Sequence, residues 1–527
     1  MERSTLGDPG WWHAEVEAEV GDHYWFRVDG GVPLVDPAAR DVASTLHGPE
    51  SVVSAPWPTV SPLLRSTGAH PLADSPIVYE AHVRGFARTF EGMIDRLDHL
   101  VDLGIDVIEL MPVHPFDNRT NYWGYMPLVW GAVHRPYGRE IPAAASLAAL
   151  TSAAHERGIR VWLDVVFNHT GEGAEQLRTH TLRGSHPDAY LRLPDGRYND
   201  DSGTGNTVDI ADPQVRRLVL DALDRYASLG VDGFRFDLAT ILTRDGGDFV
   251  RRVGDWAEQA GVALVAEAWD LAAYQVGPEW PDDRWAVWND RFREEVRGVL
   301  RGEHGLVAAL ARRVAGSPDL FGDRPWRSVN YVASHDGLTL HDLTIVTDDR
   351  HRAWDCGPEL RLQQLRNAFC VLLLSAGTPM FVMGDEFART QDGHDNPYHV
   401  DGPVSWVDWA RLDEWRPLYD TVRDVIALRK RHAATSHWGD GGTDALSFHR
   451  PDGSPLDVGG GPTDGRSLAW RTGDLYVTAN FEPHEVTFRI PHDGAWRPVV
   501  VSADGLRLDP HDCTAHVPAR TVAVFER

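Results

Sequence analysis

The chain has few cysteines, fewer basic than acidic residues, and no long apolar run. Its three cysteines, Cys356, Cys370 and Cys513, are too scattered for a disulfide framework or a CxxC metal knuckle, so we interpret them as free thiols. Lys and Arg together number 51 against 78 Asp and Glu, which gives a net charge of −27. A surface this acidic repels phosphate backbones and anionic membranes, so we expect neither nucleic acid nor a membrane as a partner.

The longest apolar run lies around residues 371–374 and is too short to cross a bilayer. Residues 1–10 carry no apolar segment of a secretory signal, so the sequence predicts a cytoplasmic protein. Hydrophobic residues make up 42% of the 527 residues, which allows a sizeable core and excludes wholesale disorder. The 20 Trp residues are an excess, and although we expect most of them in the core, sugars stack on flat indole rings.

Short β-branched runs alternate with amphipathic helical stretches between residues 77 and 386. Most of these runs are apolar throughout, which is typical of parallel strands that are buried on both faces. The candidate strands span residues 77–83, 107–113, 160–168, 233–239, 263–269, 328–336 and 379–386, and the least clear one lies near 286–293. Helical spacing of apolar residues predicts helices at 90–103, 212–230, 364–375 and 421–431.

This alternation predicts an α/β chain built on a (β/α)8 TIM barrel, because the rival doubly wound sheet seldom needs this many βα units. The two flanks have different patterns. Residues 1–74 alternate polar and apolar side chains, which indicates a small N-terminal β module. Residues 435–527 lack helical periodicity and contain strand-like runs, which indicates a C-terminal β-sandwich. We therefore predict three domains, with the catalytic barrel at residues 75–434.

Polar side chains suited to acid–base chemistry lie at the ends of four predicted strands. The carboxyl ends of barrel strands open at one face, so we expect Asp237, Glu267 and Asp336 to lie close together. Arg235 precedes Asp237 on the same face of its strand and is expected to hold that carboxylate ionised. Alanines flank Glu267, and apolar surroundings there would raise its pKa and keep its proton. Glycoside cleavage needs one such acid and one such carboxylate.

A metal site is the competing interpretation of the same groups. His169, His335 and Asp336 could in principle ligate zinc. No HxxxH or HxH pair brings two imidazoles together, however, so we favour acid–base chemistry without a cofactor.

These strand ends resemble, in order and spacing, the four signature regions of the α-amylase family, glycoside hydrolase family 13. The matching segments are residues 164–169, 233–237, 267 and 335–336, and the similarity runs over about residues 75–430. The resemblance implies a retaining double displacement in which Asp237 is the nucleophile and Glu267 is the acid/base. It also implies that Asp336 binds the 2- and 3-hydroxyls of the distorted sugar.

The same resemblance implies a set of substrate-binding residues around that sugar. They are Tyr125, Asp164, His169, Arg235, His335 and Trp269. Asp164 would brace Arg235, and Tyr125 would stack on the sugar unless it only packs in the core. Asn168 resembles a calcium-linked position of some family members, with a strand-end hydrogen bond as the simpler interpretation, so metal binding stays open.

Several stretches resemble the isoamylase and glycogen-debranching branch of this family, which hydrolyses α-1,6 branch points. They are residues 121–125, 202–206, 266–270 with 274–277, 288–290, 328–340 and 384–406. Position 268 departs from that branch, since it is Ala where Pro is usual. Residues 10–12, 36–37 and 46–49 instead resemble the N-terminal region of maltooligosyltrehalose trehalohydrolase, which cuts an α-1,4 bond. The strand ends follow the debranching pattern, and the sugar at the cut contacts barrel loops.

The sequence therefore predicts a hydrolase that cuts α-1,6 branches of glycogen-derived dextrins. An α-glucan or a branched maltooligosaccharide is the expected partner, and the N-terminal module would be carbohydrate-binding-like. A trehalohydrolase-like or other α-1,4-glucan hydrolase, or a transglycosylase, is the alternative enzyme, since all use the same two carboxyls. A non-catalytic glucan binder is the remote alternative, because the chain keeps all three carboxyls. We expect a monomer or a small homo-oligomer.

Overall fold

In a computed structural model, eight parallel strands close into a barrel, and each strand neighbours the next one along the chain. They are β1 (Val78–Ala81), β2 (Val107–Leu110), β3 (Arg160–Val165), β4 (Gly233–Phe236), β5 (Ala263–Ala266), β6 (Ala286–Asn289), β7 (Ser328–Asn330) and β8 (Thr378–Val382). Every residue of these strands is buried, as parallel strands covered on both faces require. The predicted barrel is confirmed. The structure describes residues 2–3, 12–13, 15–45, 48–63, 70–432, 446–459 and 465–527.

The barrel strands are shorter than the sequence predicts, and the three candidate carboxyls Asp237, Glu267 and Asp336 follow their strands instead of lying in them. Strand β4 ends at Phe236, immediately before Asp237, and β7 ends at Asn330, well before Asp336. The predicted strand at 286–293 is also too long, since Asp290 already begins a helix. The physical reason is a cap: the side chain of Asn289 accepts a hydrogen bond from the backbone N–H of Phe292 at 3.0 Å.

The helices of the barrel layer follow their predicted caps in part. The helix Pro213–Ser228 has Asp212 as its N-cap, and the Asp212 carboxylate accepts from the backbone N–H groups of Gln214 and Val215 at 2.8 and 3.0 Å. The prediction of one helix over 90–103 is wrong. Two helices, Phe90–Ile94 and Leu97–Leu103, replace it, because the backbone of Arg96 (φ −108°, ψ −2°) departs from ideal helical angles although it stays in the right-handed region.

The remaining α-helices lie between the strands or follow β8. They are Val83–Ala87, Ala143–Glu156, Leu182–Ser185, Asp248–Ala260, Asp290–Arg301, Val307–Val314, Pro318–Phe321, Pro358–Leu373, Arg411–Glu414 and Arg416–Arg431. Short 3-10 helices occupy Arg135–Tyr137, Pro187–Ala189, Ala239–Thr243, Pro325–Arg327, Asp342–Thr344 and Asp385–Phe387. The predicted helices at 364–375 and 421–431 are therefore parts of Pro358–Leu373 and Arg416–Arg431.

The N-terminal region forms small antiparallel sheets. Strand Gly48–Val52 lies between His23–Tyr24 and Val42–Thr45, and Glu2–Arg3 pairs with Trp12–His13. A small apolar cluster joins this region to the loop after β2 through Val42, Val129 and Ala132, among others. Residues 10–11 and 46–47, part of the trehalohydrolase-like stretches, lie outside the described residues.

The C-terminal region is a sandwich of two antiparallel sheets. One sheet contains Ser447–His449, Ser467–Thr472, Leu475–Asn480, Thr521–Glu526 and Arg497–Val501, and the other contains Val486–Arg489, Thr514–Val517 and Arg507–Asp509. Side chains from both sheets form one core, which includes Tyr476 and Phe525 from the larger sheet and Phe488 from the smaller. The predicted β-sandwich is confirmed.

The chain forms two compact units. The first comprises Met1–Leu64, Ala87–Asp95 and Leu110–Gln275, and the second comprises Arg65–Phe86, Arg96–Glu109 and Val276–Arg527. The domain boundaries at residues 74 and 434 stay a prediction. All three cysteines are free thiols, as the sequence predicts. No helix of the described residues is long and apolar enough to span a membrane.

Candidate active site

A fully buried arginine, Arg235 on β4, lies at the centre of the candidate site in the first unit. Its Nη1 donates to Oδ2 of Asp164 at 2.8 Å and lies 3.3 Å from Oδ1 of Asp237, while its Nη2 lies 3.0 Å from Oε2 of Glu267. Burial alone would lower the pKa of the guanidinium, but the nearby carboxyls, Asp164 first among them, raise it well above its usual value. One permanent cation thus links carboxyls from three consecutive strands.

Asp237 is oriented by two neighbours and stays partly open to solvent. The side-chain amide of Asn168 donates to Oδ2 and to the backbone carbonyl of Asp237, both at 2.8 Å, and Arg235 lies beside Oδ1. The Asp237 side chain is 14% exposed. Donors on both oxygens hold a carboxylate in one orientation while leaving it reachable, as a nucleophile requires.

Glu267 follows β5 directly, and its carboxyl has a strongly shifted pKa. Burial raises the pKa of this carboxyl to about 8, the charge of Arg235 opposes the rise, and the charge of Asp237 adds to it. The backbone N–H of Leu238 donates to Oε2 at 2.9 Å and fixes the carboxyl against β4. Glu267 therefore keeps its proton at neutral pH, although the contact with Arg235 was not foreseen from the sequence.

Tyr125 and His169 complete this cluster on the side of β3. The Tyr125 hydroxyl donates to the same Asp164 oxygen that Arg235 contacts, and Nε2 of His169 donates to the backbone carbonyl of Tyr125 at 2.7 Å. Burial lowers the pKa of His169, and its Nδ1 lies beside the side-chain oxygen of Asn168. Tyr125 is half-buried, with its hydroxyl held by Asp164. Asp164 therefore positions both a cation and an aromatic ring.

Trp269 lies in the loop that follows Glu267 and is half-buried. Its backbone pairs with that of Tyr274 in an isolated antiparallel bridge. Asp270 anchors the loop, since its Oδ2 accepts from the hydroxyl of Thr240 at 2.7 Å and from Nη2 of Arg244 at 2.9 Å. The indole of Trp269 is thus carried on a loop tied to the segment after β4.

His335 and Asp336 lie in the second unit, after β7. Glu80 on β1 holds His335 at two points: it accepts from the ring Nδ1 at 2.6 Å and from the backbone N–H at 2.8 Å. The ring of Trp288 on β6 lies 6.0 Å from the His335 ring. Asp336 is exposed. Burial lowers the pKa of nearby Arg297 to about 10, and the charge of Asp336 is one of those that oppose this fall.

The structure places two positioning residues, Glu80 and His114, next to predicted ones that the sequence did indicate. Glu80 was detectable in principle, since a carboxyl on an otherwise apolar, fully buried strand needs a partner.

His114 was not predicted either. Its Nε2 donates to the carbonyl of Gly124 at 2.8 Å, beside Tyr125, and burial lowers its pKa to about 4. Asn168 makes the predicted strand-end hydrogen bond to Asp237, and metal binding at this position stays untested. The described residues contain no group of three or more His, Cys, Asp or Glu that could hold a metal ion.

Comparison with known proteins places this geometry in a family. Residues 81–195 match the family model for the α-amylase catalytic domain. Isoamylase 1 of rice, a chloroplastic protein, is 33% identical over 635 residues, which cover 97% of this chain and 77% of the rice protein. The chain belongs to the isoamylase branch of the α-amylase family.

Two further relatives agree with this membership. A Mycobacterium tuberculosis protein named glycogen operon protein GlgX homolog is 37% identical over 419 residues, covering 68% of this chain. The chain spans 58% of that protein's length. The crystal structure of an Anoxybacillus pullulanase complexed with maltotetraose superposes with a TM-score of 0.78 at 25% identity, covering 94% of this chain and 77% of the pullulanase. The resemblance predicted from the strand ends is confirmed.

Proposed function

We propose that this protein hydrolyses α-1,6 branch linkages in glycogen-derived dextrins by a retaining double displacement. The observation that carries the proposal is the pair of carboxyls beside the Arg235 guanidinium. Asp237 accepts from hydrogen-bond donors, and Glu267 has a pKa raised to about 8. A neutral acid next to an ionised nucleophile is the arrangement that glycoside cleavage requires. The isoamylase, GlgX-homologue and pullulanase names of its relatives support the α-1,6 linkage.

In the first step Oδ of Asp237 attacks the anomeric carbon and the bond from that carbon to the glycosidic oxygen breaks. The bonding electrons pass to the leaving oxygen, which takes the proton of Glu267. The product is a glycosyl ester on Asp237 and a free acceptor chain with a new hydroxyl. Arg235 stabilises the carboxylates on both sides of this change, since it contacts Asp237 and Glu267 together.

In the second step the ionised Glu267 takes a proton from water while the water oxygen attacks the anomeric carbon. The ester bond breaks, Asp237 leaves as a carboxylate, and Glu267 is again protonated. Two inversions at one carbon leave the released chain in the α configuration. The positive charge of Arg235 favours the transiently ionised Glu267 from its position 3.0 Å away.

The other candidate residues serve the sugar at the cleaved bond in this proposal. Tyr125 offers its ring, held in place through Asp164, and His169 holds the Tyr125 backbone through its carbonyl and would line the same side of the sugar. His335, fixed by Glu80, and the exposed Asp336 would bind hydroxyls of the same sugar. Trp269 would contact the acceptor side, because its loop continues from the acid Glu267.

Separate incubations with a 6-α-branched maltooligosaccharide, maltooligosyltrehalose and linear maltohexaose test the proposed linkage. Product chromatography is expected to show linear chains released from the branched sugar only. Trehalose released from maltooligosyltrehalose would instead establish the trehalohydrolase-like alternative, and longer chains formed from maltohexaose would establish transglycosylation. Binding of all three sugars without any product would leave only a glucan binder.

Cytoplasmic location and action as a monomer or small homo-oligomer without a cofactor also belong to this proposal. Location is supported by the mycobacterial relative's glycogen-operon name, whereas the rice relative is chloroplastic.

A further inference from the structure

A groove of about 270 Å³ lies in the first unit beside the N-terminal module. Its lining combines the module's edge at Ser44, Gly48 and Pro49 with the loops that follow β2 and β3. Two lining residues adjoin the site along the chain, because Met126 follows Tyr125 and Gly171 lies just after His169 and Thr170. Its volume is close to the lower end, about 300 Å³, for small-molecule sites.

The loop after β3 forms one wall of the groove, and internal hydrogen bonds preorganise this wall. Glu172, only 2% exposed, accepts from the backbone N–H groups of His180, Thr181 and Arg183 at 2.7, 2.9 and 3.0 Å. The Arg183 guanidinium in turn donates to the carbonyl of Gly173 at 2.6 Å. A buried carboxylate and a buried guanidinium thus fix both ends of the loop, so a ligand would not have to order it.

The same wall presents the chemistry that a sugar ring needs. Leu177 is apolar yet 57% exposed, and it offers a surface for the C–H face of a ring. Arg178 is exposed, and its guanidinium packs against Gly48 of the N-terminal module. The contact is so close that a Cβ atom at position 48 would lie 2.9 Å from the guanidinium. Burial and the charge of Arg178 lower the pKa of His180, so its neutral imidazole can both donate and accept. Across the groove, Arg119 is held by Asp117 at 2.6 Å.

The order of the barrel strands indicates which part of the substrate enters. The acid Glu267 follows β5 and gives its proton to the leaving oxygen, so the acceptor chain lies on that side of Asp237. The groove lies on the opposite side, along the loops after β3 and β2. We propose that this groove binds the glucosyl units of the branch to be released, beyond the unit at Tyr125, so that the N-terminal module helps to select branch length. This inference rests on the proposed function.

The test compares two branched substrates that differ only in branch length, two against four or more glucosyl units. Arg178→Ala and Leu177→Ala are each expected to lower the ratio of kcat/KM for the long branch over the short one about fivefold, the effect of one lost contact. Arg197→Ala is the matched control for a lost surface arginine. Like Arg178 it is an exposed arginine of the first unit, but it does not line the groove.

Equal losses on both substrates, or ratios unchanged in both groove variants, would overturn the proposal. No release from either branched substrate by the unmodified protein would refute debranching rather than the groove. The groove is then judged by calorimetric binding of maltotetraose and maltose to Asp237→Asn protein. Arg178→Ala is expected to weaken maltotetraose binding about fivefold relative to Arg197→Ala and to leave maltose binding unchanged, whereas equal maltotetraose affinities would overturn it.

Discussion

Asp164 offers a way to change the acidity of Glu267 without touching either reacting carboxyl. Asp164 is 1% exposed, accepts from Arg235 and Tyr125, and its charge is one of the influences that raise the pKa of Glu267. The substitution Asp164→Asn keeps the shape and an acceptor oxygen but removes that charge. We therefore expect the pKa of Glu267 to fall from its value of about 8.

The size of the effect follows from the shared guanidinium. Carboxyls on the two terminal nitrogens of one arginine lie roughly 7 Å apart, where unit charges repel by on the order of 2 kcal/mol at an effective dielectric of about 20. Each 1.4 kcal/mol or so is one pH unit, so we expect a shift of about one unit. The acid form is active below its pKa, so the alkaline limb of the pH profile of kcat/KM moves from about 8 toward about 7.

The assay is the pH dependence of kcat/KM on a branched maltooligosaccharide between pH 5 and pH 10. A fall of about 10- to 100-fold at the optimum is also expected, because Tyr125 loses a charged hydrogen-bond partner. Asp195→Asn serves as the control, since this exposed carboxylate pairs only with Arg197 in the described contacts. A limb that stays in place or moves to higher pH in Asp164→Asn would refute the electrostatic account of Glu267.

Three further predictions concern Asn168, Glu267 and Glu80. Asn168→Ala removes the amide that donates to Asp237 at 2.8 Å, so kcat is expected to fall about tenfold with little change in melting temperature, and an unchanged kcat would contradict the orienting role. Glu267→Gln is expected to melt at a higher temperature than the unmodified protein at pH 9 but not at pH 4. The pKa of the Glu267 carboxyl is raised from 4.5 to about 8, so this group destabilises the fold by on the order of a few kcal/mol as pH rises through that range. An equal difference in melting temperature at both pH values would contradict this. Glu80→Gln weakens the hold on His335, so KM for the branched substrate is expected to rise about tenfold, a result to compare with that of His335→Ala.

The barrel was predictable because its strands are buried on both faces and therefore read as apolar runs. The ends of the strands were not predictable, because the loop that continues a strand has the same residue types and only the end of the inter-strand hydrogen bonds separates the two. The segment 328–336 illustrates this: only Ser328–Asn330 is strand, and the rest turns toward His335 and Asp336. The helix over 90–103 failed for a related reason, because the buried side chains of Met93, Leu97 and Leu100 continue the apolar stripe across the break.

The candidate site was predictable where family motifs fix residues at strand ends. Arg235 beside Asp237 followed from their two-residue spacing at the end of β4, and its contact with Asp164 followed from the family resemblance. Its contact with Glu267 depends on how β4 and β5 are registered, which a single sequence does not encode locally. The partnership of Glu80 with His335 joins residues 255 positions apart, and such long-range pairs need the closed fold.

The most direct test of the central claim is the anomeric configuration of the first product. Proton NMR would follow a branched maltooligosaccharide during the first minutes of hydrolysis, with unmodified and Asp237→Asn protein in parallel. The account predicts that the released chain appears first as the α-anomer, that mutarotation follows, and that Asp237→Asn releases no chain while melting like the unmodified protein. A β-anomer as first product, or release by Asp237→Asn at the unmodified rate, would contradict the assignment of Asp237 and Glu267 as nucleophile and acid.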